Sequence, residues 1–239
     1  MIGDNKIAVI IPAFNEEKSL PAVISFIPGF VDEIIVCDNG SLDKTAEVAV
    51  DAGAVILFES EKGYGAACLK AINYIKTKNF DIVVFIDGDY SDYPEEMGIV
   101  VNPIIQDDYD FVVGSRIIGS REKGALLPQA ILGNWLASFF IKIFWGYRYT
   151  DLGPFRAIKY TSLLKLDMCD RNFGWTVEMQ IKAAKHKLKT IEIPVSYRKR
   201  IGKSKVTGTI NGSVKASIKI LYVIFQSLFK NNSQSNRLW

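Results

Sequence analysis

The sequence predicts an α/β fold with a mainly parallel, twisted sheet flanked by helices. Two observations carry this. Between residues 7 and 115, short β-branched runs alternate with segments of helical length, and those runs are continuously apolar rather than alternating, as strands covered on both faces are. A chain of 239 residues with 49% apolar composition also has enough material for one sizeable core.

The expected strands are 7–11, 31–37, 54–58, 81–86 and 111–114, and the expected helices are 16–27, 43–52, 66–76 and 95–105. This rhythm implies right-handed crossovers in a parallel sheet. After Arg116 the pattern changes to a Gly-rich loop, an aromatic helix over 129–145, a connector through Arg156, a helix over 176–186 and a strand over 190–197. A last helix, 213–229, follows a basic loop containing Gly and Ser, and the tail 231–239 is expected to fray.

Three cysteines, Cys37, Cys68 and Cys169, lie far apart with no CxxC pair, so neither a disulfide framework nor a zinc knuckle is indicated. Residues 1–6 lack the basic-then-apolar order of a signal peptide, and a cytoplasmic location is expected. A formal charge of +3 is too small for a nucleic-acid binder, so no nucleic-acid partner is expected. Lys and Arg nevertheless crowd residues 182–205, where anionic partners should bind.

Three polar clusters each follow a buried strand: Pro12-Ala13-Phe14-Asn15-Glu16, Asp38-Asn39-Gly40-Ser41 and Asp87-Gly88-Asp89. Ligands bind outside the carboxyl ends of strands in open parallel sheets, so the three should converge on one crevice. Asp87 and Asp89, two apart where an extended chain leaves its strand, can face the same way. Two carboxylates about 4 Å apart repel by roughly 4 kcal/mol at an effective dielectric near 20, a cost that Mg²⁺ or Mn²⁺ relieves. The plainer alternative is that the pair caps the following helix through Ser91, Asp92 and Pro94.

Asp38 can accept hydrogen bonds from a base or ribose, and the Asn39-Gly40 step supplies a turn that lets backbone approach a ligand; an ordinary capped loop is the alternative. Gly63-Tyr64-Gly65-Ala66-Ala67-Cys68 has the beginning of a dinucleotide fingerprint, but Cys68 occupies the last small position and the turn follows the third strand, which favours a tight backbone-exposing turn. The sole histidine, His186, lies among lysines at a helix end, so no histidine base is expected.

Through these clusters and Gly114-Ser115-Arg116, the chain resembles family 2 glycosyltransferases, in particular the dolichyl-phosphate mannose synthase-like branch that uses polyprenyl phosphates. The likeness continues through Thr150-Asp151-Leu152-Gly153-Pro154-Phe155-Arg156-Ala157, Phe173-Gly174-Trp175-Thr176-Val177-Glu178-Met179-Gln180 and Arg200-Ile201-Gly202-Lys203-Ser204-Lys205. The resemblance implies a GT-A nucleotide-diphospho-sugar transferase fold over 1–212, with a donor half at 1–115 and an acceptor half at 116–212, followed by an amphipathic helix and tail at 213–239. It also implies a sugar-nucleotide donor bound by Pro12, Phe14, Glu16 and Asp38, with Gly40 at the turn, a divalent metal on Asp87 and Asp89, and phosphate contacts from Arg116 and a mobile basic loop. Two positions depart from the family pattern: Ser91 stands where many relatives carry Gln, and 127–129 lacks an Arg common among users of lipid phosphates.

Arg116, Arg200 and Lys205 suit phosphate clamping, because guanidinium forks and flexible ammonium groups match phosphate oxygens. An acceptor that is already a phosphate anion needs little general-base help, whereas a hydroxyl acceptor would require Asp151 or Glu178 as the base. A sugar-nucleotide sensor would keep Asp38 and could dispense with the aspartate pair.

In the 129–145 helix, Asn134, Ser138 and Lys142 form one stripe, and the last helix does likewise with Lys215, Lys219, Tyr222 and Gln226; neither offers about 20 uninterrupted apolar residues. Both are expected to lie peripherally in a headgroup plane at the inner face of the cytoplasmic membrane and receive a lipid-phosphate acceptor. The competing use of the same faces is in the core or in a homo-oligomer.

Overall fold

A computed structural model of the chain describes residue 2, residues 4–202 and 210–229, the side chains of 210–216 excepted. Its strands are β1 (Ile7–Ala13), β2 (Glu33–Asp38), β3 (Val55–Phe58), β4 (Ile82–Phe85), β5 (Phe111–Ser115), β6 (Arg156–Lys159) and β7 (Thr190–Pro194). Its helices are α1 (Leu20–Phe26), α2 (Thr45–Asp51), α3 (Tyr64–Ile75), α4 (Met97–Gln106), α5 (Pro128–Trp145), α6 (Tyr160–Leu166), α7 (Trp175–Lys185) and α8 (Ile210–Phe229), with a 3-10 turn at Pro94–Glu96 before α4.

The strands form one seven-stranded sheet in the order β3-β2-β1-β4-β6-β5-β7. Period-2 geometry explains why the strands read as unbroken apolar runs: in β1, Ile7, Val9 and Ile11 face one core while Ala8 and Ile10 face the other. One core is closed by α1, α2 and α4 through Leu20, Val23, Ala49, Met97 and Val101, and the other by α3, α5, α6, α7 and α8 through Ala71, Ile141, Leu163, Trp175 and Ile224.

Only β6 runs against its neighbours, antiparallel to both β4 and β5, so the other six strands end on one rim. The chain builds β2 and β3 on one side of β1 and then crosses to β4 on the other, which puts the sheet's switch point between the ends of β1 and β4.

Four sequence expectations need correction. The connector through Arg156 is a strand followed by a helix, β6 and α6; Arg156, fully buried, donates to the carbonyls of Leu152, Gly153 and Thr176, and a buried guanidinium opening a four-residue strand masks the apolar signal. The strand expected over 190–197 ends at Pro194. The boundary at 212/213 falls inside α8, which packs on α5 and α7.

The expected polar stripe of α5 is also split, with Asn134 and Ser138 turned inward and Lys142 exposed. Asn134 and Ser138 are buried, whereas Leu132, Trp135, Phe139 and Ile143 are exposed, because Asn134 turns inward to donate to the Asp151 carboxylate. On α8, Ile218, Tyr222, Phe225 and Phe229 are likewise exposed, and the two helices meet where Phe225 packs edge-on against Phe140 and Phe144. Among the described residues no helix is long and apolar enough to cross a membrane. The expected frayed tail at 231–239, and Lys205 with most of its basic loop, lie outside the described residues.

Candidate active site

The three polar clusters emerge where β1, β2 and β4 end, and the first two are cross-braced. Asn15, held at φ 54°, donates its N–H to Ser41 Oγ (2.8 Å), while Leu42 returns its N–H to Asn15 Oδ1 (2.8 Å). Glu16 N–H is taken by Thr45 Oγ1 at 2.8 Å. Gly40 sits at φ 74°, and a Cβ there would lie 2.9 Å from Lys62 Nζ, which donates to the carbonyls of Asn39 and Gly40 and lies 4.2 Å from the centre of the Phe14 ring.

These pieces enclose a cavity of about 500 Å³ lined by Pro12, Phe14, Glu16, Asn39, Tyr64, Asp87 and Asp89. Asp38 is not among its lining residues: its Oδ1 accepts from Ser41 N–H (3.0 Å) and from the Ser41 hydroxyl, so it shapes the turn, and Asn39 reaches the cavity instead.

A second cavity, about 420 Å³, opens beside the first between α5 and α8, with Leu126, Leu127, Ala130, Leu152 and Ile220 on its walls and Arg116 on its polar side. Asp87, Asp89, Tyr64, Phe173 and Arg200 line both cavities.

Asp87 and Asp89 therefore share one place, as their spacing predicts. Asp89 Oδ1 accepts from the N–H (2.9 Å) and hydroxyl (2.5 Å) of Ser91, bonds within the loop that leave the following helical turns without a side-chain cap, and Tyr90 behind it takes φ 64°. Asp89 Oδ2 faces Arg200 Nη1 at 3.1 Å, and Arg200 Nη2 reaches Glu16 Oε1 at 3.2 Å, so one guanidinium spans the switch point. Asp87 Oδ1 is buried without a hydrogen-bond partner among the described residues. Burial, and then the Asp89 carboxylate, push the Asp87 carboxyl up to about 7. An orphaned oxygen on a crowded acidic pair is what a hard divalent cation would satisfy. No third His, Cys, Asp or Glu joins the pair among the described residues, which would leave the remaining positions to diphosphate oxygens and water.

Arg116, at the end of β5, is anchored from behind. Asp151 is fully buried and accepts from Arg116 Nε (2.7 Å), Nη2 (2.8 Å) and the backbone N–H (2.9 Å), and from Asn134. Burial alone would raise the Asp151 carboxyl, but the adjoining guanidinium outweighs it and holds the group below the usual carboxylate range. Tyr197 packs on the other face of this guanidinium, 4.9 Å from ring centre to Cζ.

The two expected base residues line neither of the cavities that Asp87 and Asp89 share. Asp151 lies behind Arg116, and Glu178 lines a separate cavity, where it accepts the N–H groups of Cys169 and Asp170 and pairs with Lys182 at 2.8 Å. A carboxylate one turn into α7 was free, on sequence grounds alone, to face either cavity. Sequence reasoning gave no site role to Tyr64, Asn39 or Phe173; the Gly63-Tyr64-Gly65 turn, the Asp38-Asn39-Gly40-Ser41 cluster and the Phe173-Gly174-Trp175 stretch were the available signals.

An α/β sheet with a crevice at its switch point, an aspartate pair at a strand tip and a clamped arginine beside it is the architecture of a GT-A glycosyltransferase. The chain belongs to Glycosyl transferase family 2, whose model matches residues 8–158. It is 34% identical over 226 residues to an uncharacterised glycosyltransferase of Mycobacterium tuberculosis, covering 94% of this chain and all of that one. It is 29% identical to the UDP-N-acetylglucosamine–dolichyl-phosphate N-acetylglucosaminyltransferase of Methanococcus voltae, over 81% of this chain and 86% of that one. Its identity to the undecaprenyl-phosphate mannosyltransferase of Micrococcus luteus is 25%, over 89% and 92%. Among solved structures, glucosyl-3-phosphoglycerate synthase of M. tuberculosis, in complex with Mn²⁺, UDP-glucose and phosphoglyceric acid, has the same fold, with a TM-score of 0.75 at 21% identity over 94% of this chain and 80% of that one.

Proposed function

We propose that the protein is an inverting, metal-dependent hexosyltransferase that moves a sugar from a nucleoside diphosphate donor to a polyprenyl phosphate at a membrane surface. The observation that carries this reading is the aspartate pair shared by two adjoining cavities, one bounded by Phe14, Asn39 and Tyr64, the other by Arg116 with Leu126, Leu127, Leu152 and Ile220 and opening between α5 and α8.

The donor base and ribose fit between Phe14, Asn39 and the Lys62–Tyr64 turn, with the diphosphate directed at Asp87 and Asp89. These two residues would hold Mg²⁺ or Mn²⁺, which when bound supplies positive charge to the departing diphosphate. Arg200, poised between Glu16 and Asp89, exchanges those carboxylates for phosphate oxygens, and Lys205, which follows in the sequence, is assigned the same work. Arg116, held rigid by Asp151, presents its guanidinium to the acceptor phosphate and orients one oxygen towards the anomeric carbon, opposite the leaving group.

The acceptor assignment is favoured by what Asp151 and Glu178 do. Both carboxylates considered as bases are engaged elsewhere, and a phosphate oxygen that is already anionic requires neither. The apolar walls suit an isoprenoid, and two relatives are named for lipid-phosphate acceptors. The exposed stripes of α5 and α8 lie beside this cavity, and no acidic residue follows Glu192 while Lys and Arg recur to Arg237, a combination suited to an anionic bilayer and a peripheral location.

The test is direct. UDP-glucose, UDP-N-acetylglucosamine and GDP-mannose are each offered with undecaprenyl phosphate, with 3-phosphoglycerate, and with either Mn²⁺ or EDTA. A glycolipid formed only with metal is the expected product; transfer to 3-phosphoglycerate alone would replace the acceptor assignment, and donor binding without turnover would leave a sugar-nucleotide sensor.

A further inference from the structure

The Gly63-Tyr64-Gly65 turn is explained by neither dinucleotide binding nor metal chemistry. A Cβ on Gly63 would lie 2.0 Å from the Arg171 carbonyl oxygen, and one on Gly65 would lie 1.9 Å from that of Asp170. Both glycines therefore admit a second segment of backbone, and Ala66 N–H seals the contact by donating to the Arg171 carbonyl at 2.9 Å. On its other side this 169–174 loop meets α8, where a Cβ on Gly174 would lie 2.6 Å from Val223 Cγ2. The loop is wedged between the start of α3 and the C-terminal helix.

Asp170 organises it. Its side chain is 7% exposed; Oδ1 accepts the N–H groups of Asn172 (2.8 Å) and Gly174 (3.1 Å), and Oδ2 pairs with Lys219 of α8 at 2.7 Å. The residue these bonds present is Phe173, 37% exposed, which lines both cavities. Of the residues that line both, Asp87 and Asp89 leave the end of β4 and Tyr64 begins α3, whereas Phe173 and Arg200 depend on loops for their places, and of these two Phe173 is the one whose loop is tied to α8.

We propose that Phe173 is a specificity-determining residue that closes the junction between donor and acceptor cavities to water, and that Lys219 is a positioning residue that sets Phe173 from α8 through Asp170. The inference rests on the glycosyltransferase reading, because a ring at this junction matters only if the two reactants lie on its two sides. With the ring in place, the acceptor oxygen is the nucleophile that reaches the anomeric carbon. With it displaced, a water oxygen forms that bond instead; the nucleoside diphosphate departs with the bonding pair, a proton passes to solvent, and free sugar replaces glycolipid. Since Lys219 sits on the helix that carries the exposed Ile218 and Tyr222, a surface that seats α8 also steadies this ring.

The experiment measures free sugar and glycolipid in the same reaction, using the full chain, Mn²⁺, undecaprenyl phosphate in detergent and whichever of UDP-glucose, UDP-N-acetylglucosamine and GDP-mannose turns over. For Phe173→Ala the ratio of hydrolysis to transfer is expected to rise roughly tenfold, within what displacement of a near-attack arrangement costs, while the donor KM changes little. Lys219→Met should shift the ratio in the same direction by a smaller factor, and Lys219→Arg, which keeps the charge, should restore it. Phe173→Leu and the Lys219 pair carry the test if Phe173→Ala fails to fold. An unchanged ratio in folded Phe173 variants overturns the junction role, and a Lys219→Met protein identical to wild type overturns the link to α8. Absence of turnover with every donor by the unaltered chain removes the glycosyltransferase reading, and this inference with it.

Discussion

Arg116 and Asp151 form a bidentate pair, Nε to Oδ2 at 2.7 Å and Nη2 to Oδ1 at 2.8 Å, with the aspartate wholly removed from water. Removing one charge from such a pair leaves the other buried and uncompensated, so Asp151→Asn is expected to cost about 3–5 kcal/mol in urea unfolding. The pH dependence has a definite sign. Because the folded state holds the Asp151 carboxyl below its ordinary value near 3.9, its stabilisation is complete above about pH 4 and disappears as pH falls through the lower folded value. Asp151→Asn should therefore flatten the acid limb of the stability curve; an unchanged limb would mean that other carboxylates set it.

Asp87 and Asp89 crowd negative charge at one strand tip, so neutralising one should relieve the metal-free protein. Asp87→Asn is expected to melt at or above the wild-type temperature without metal, to lose the increase in Tm produced by Mn²⁺ with nucleoside diphosphate, and to transfer sugar on the order of 10²-fold more slowly. Thermal melts with and without Mn²⁺ check the first two; a variant that still gains stability from Mn²⁺ would place the cation elsewhere.

The cysteines should separate sharply in reactivity. Cys37 and Cys68 are buried, and burial pushes the Cys37 thiol up to about 12, whereas Cys169 is exposed. Titration of the native protein with a disulfide reagent at pH 8 should modify Cys169 alone, and the other two only after denaturation. Rapid native labelling of Cys37 would contradict the packing of β2 against α3.

The apolar stripes on α5 and α8 predict surface behaviour. Trp135→Glu combined with Tyr222→Glu should weaken co-sedimentation with anionic liposomes roughly tenfold or more, since each change removes about 1.5–3 kcal/mol of favourable apolar transfer. Wild-type chain remaining wholly in solution at low salt would reassign these faces to contact between copies of the chain.

Much of this architecture is legible in the sequence where one physical cause dominates. β1, β2 and β4 are apolar on both faces because helices cover both, and the polar residues that end them can only emerge at the rim. The reading weakens where burial and polarity conflict. Arg156 is charged yet fully buried, so the start of β6 resembles a connector; Asn134 is polar yet faces the core, so the polar stripe that the pattern of α5 suggests is split. Asp38 and Glu178 show a different limit. Sequence places them near ligand-bearing segments, but only coordinates reveal that the backbone N–H of Ser41 takes one oxygen of Asp38 and those of Cys169 and Asp170 take both of Glu178.

The six strands that run the same way give the sheet two edges, one at their starts and one at their ends, with different mechanical duties. At the edge away from the crevice, Asp81, Asp32 and Asp110 pin the chain by accepting the N–H groups of Lys6, Ile7 and Lys189 at 2.8–2.9 Å. That edge is a chassis, and the opposite one is a tool-holder. Loops can be exchanged at the tool end to alter the sugar or lipid accepted, and reporter domains inserted at the chassis end, without either alteration crossing the sheet.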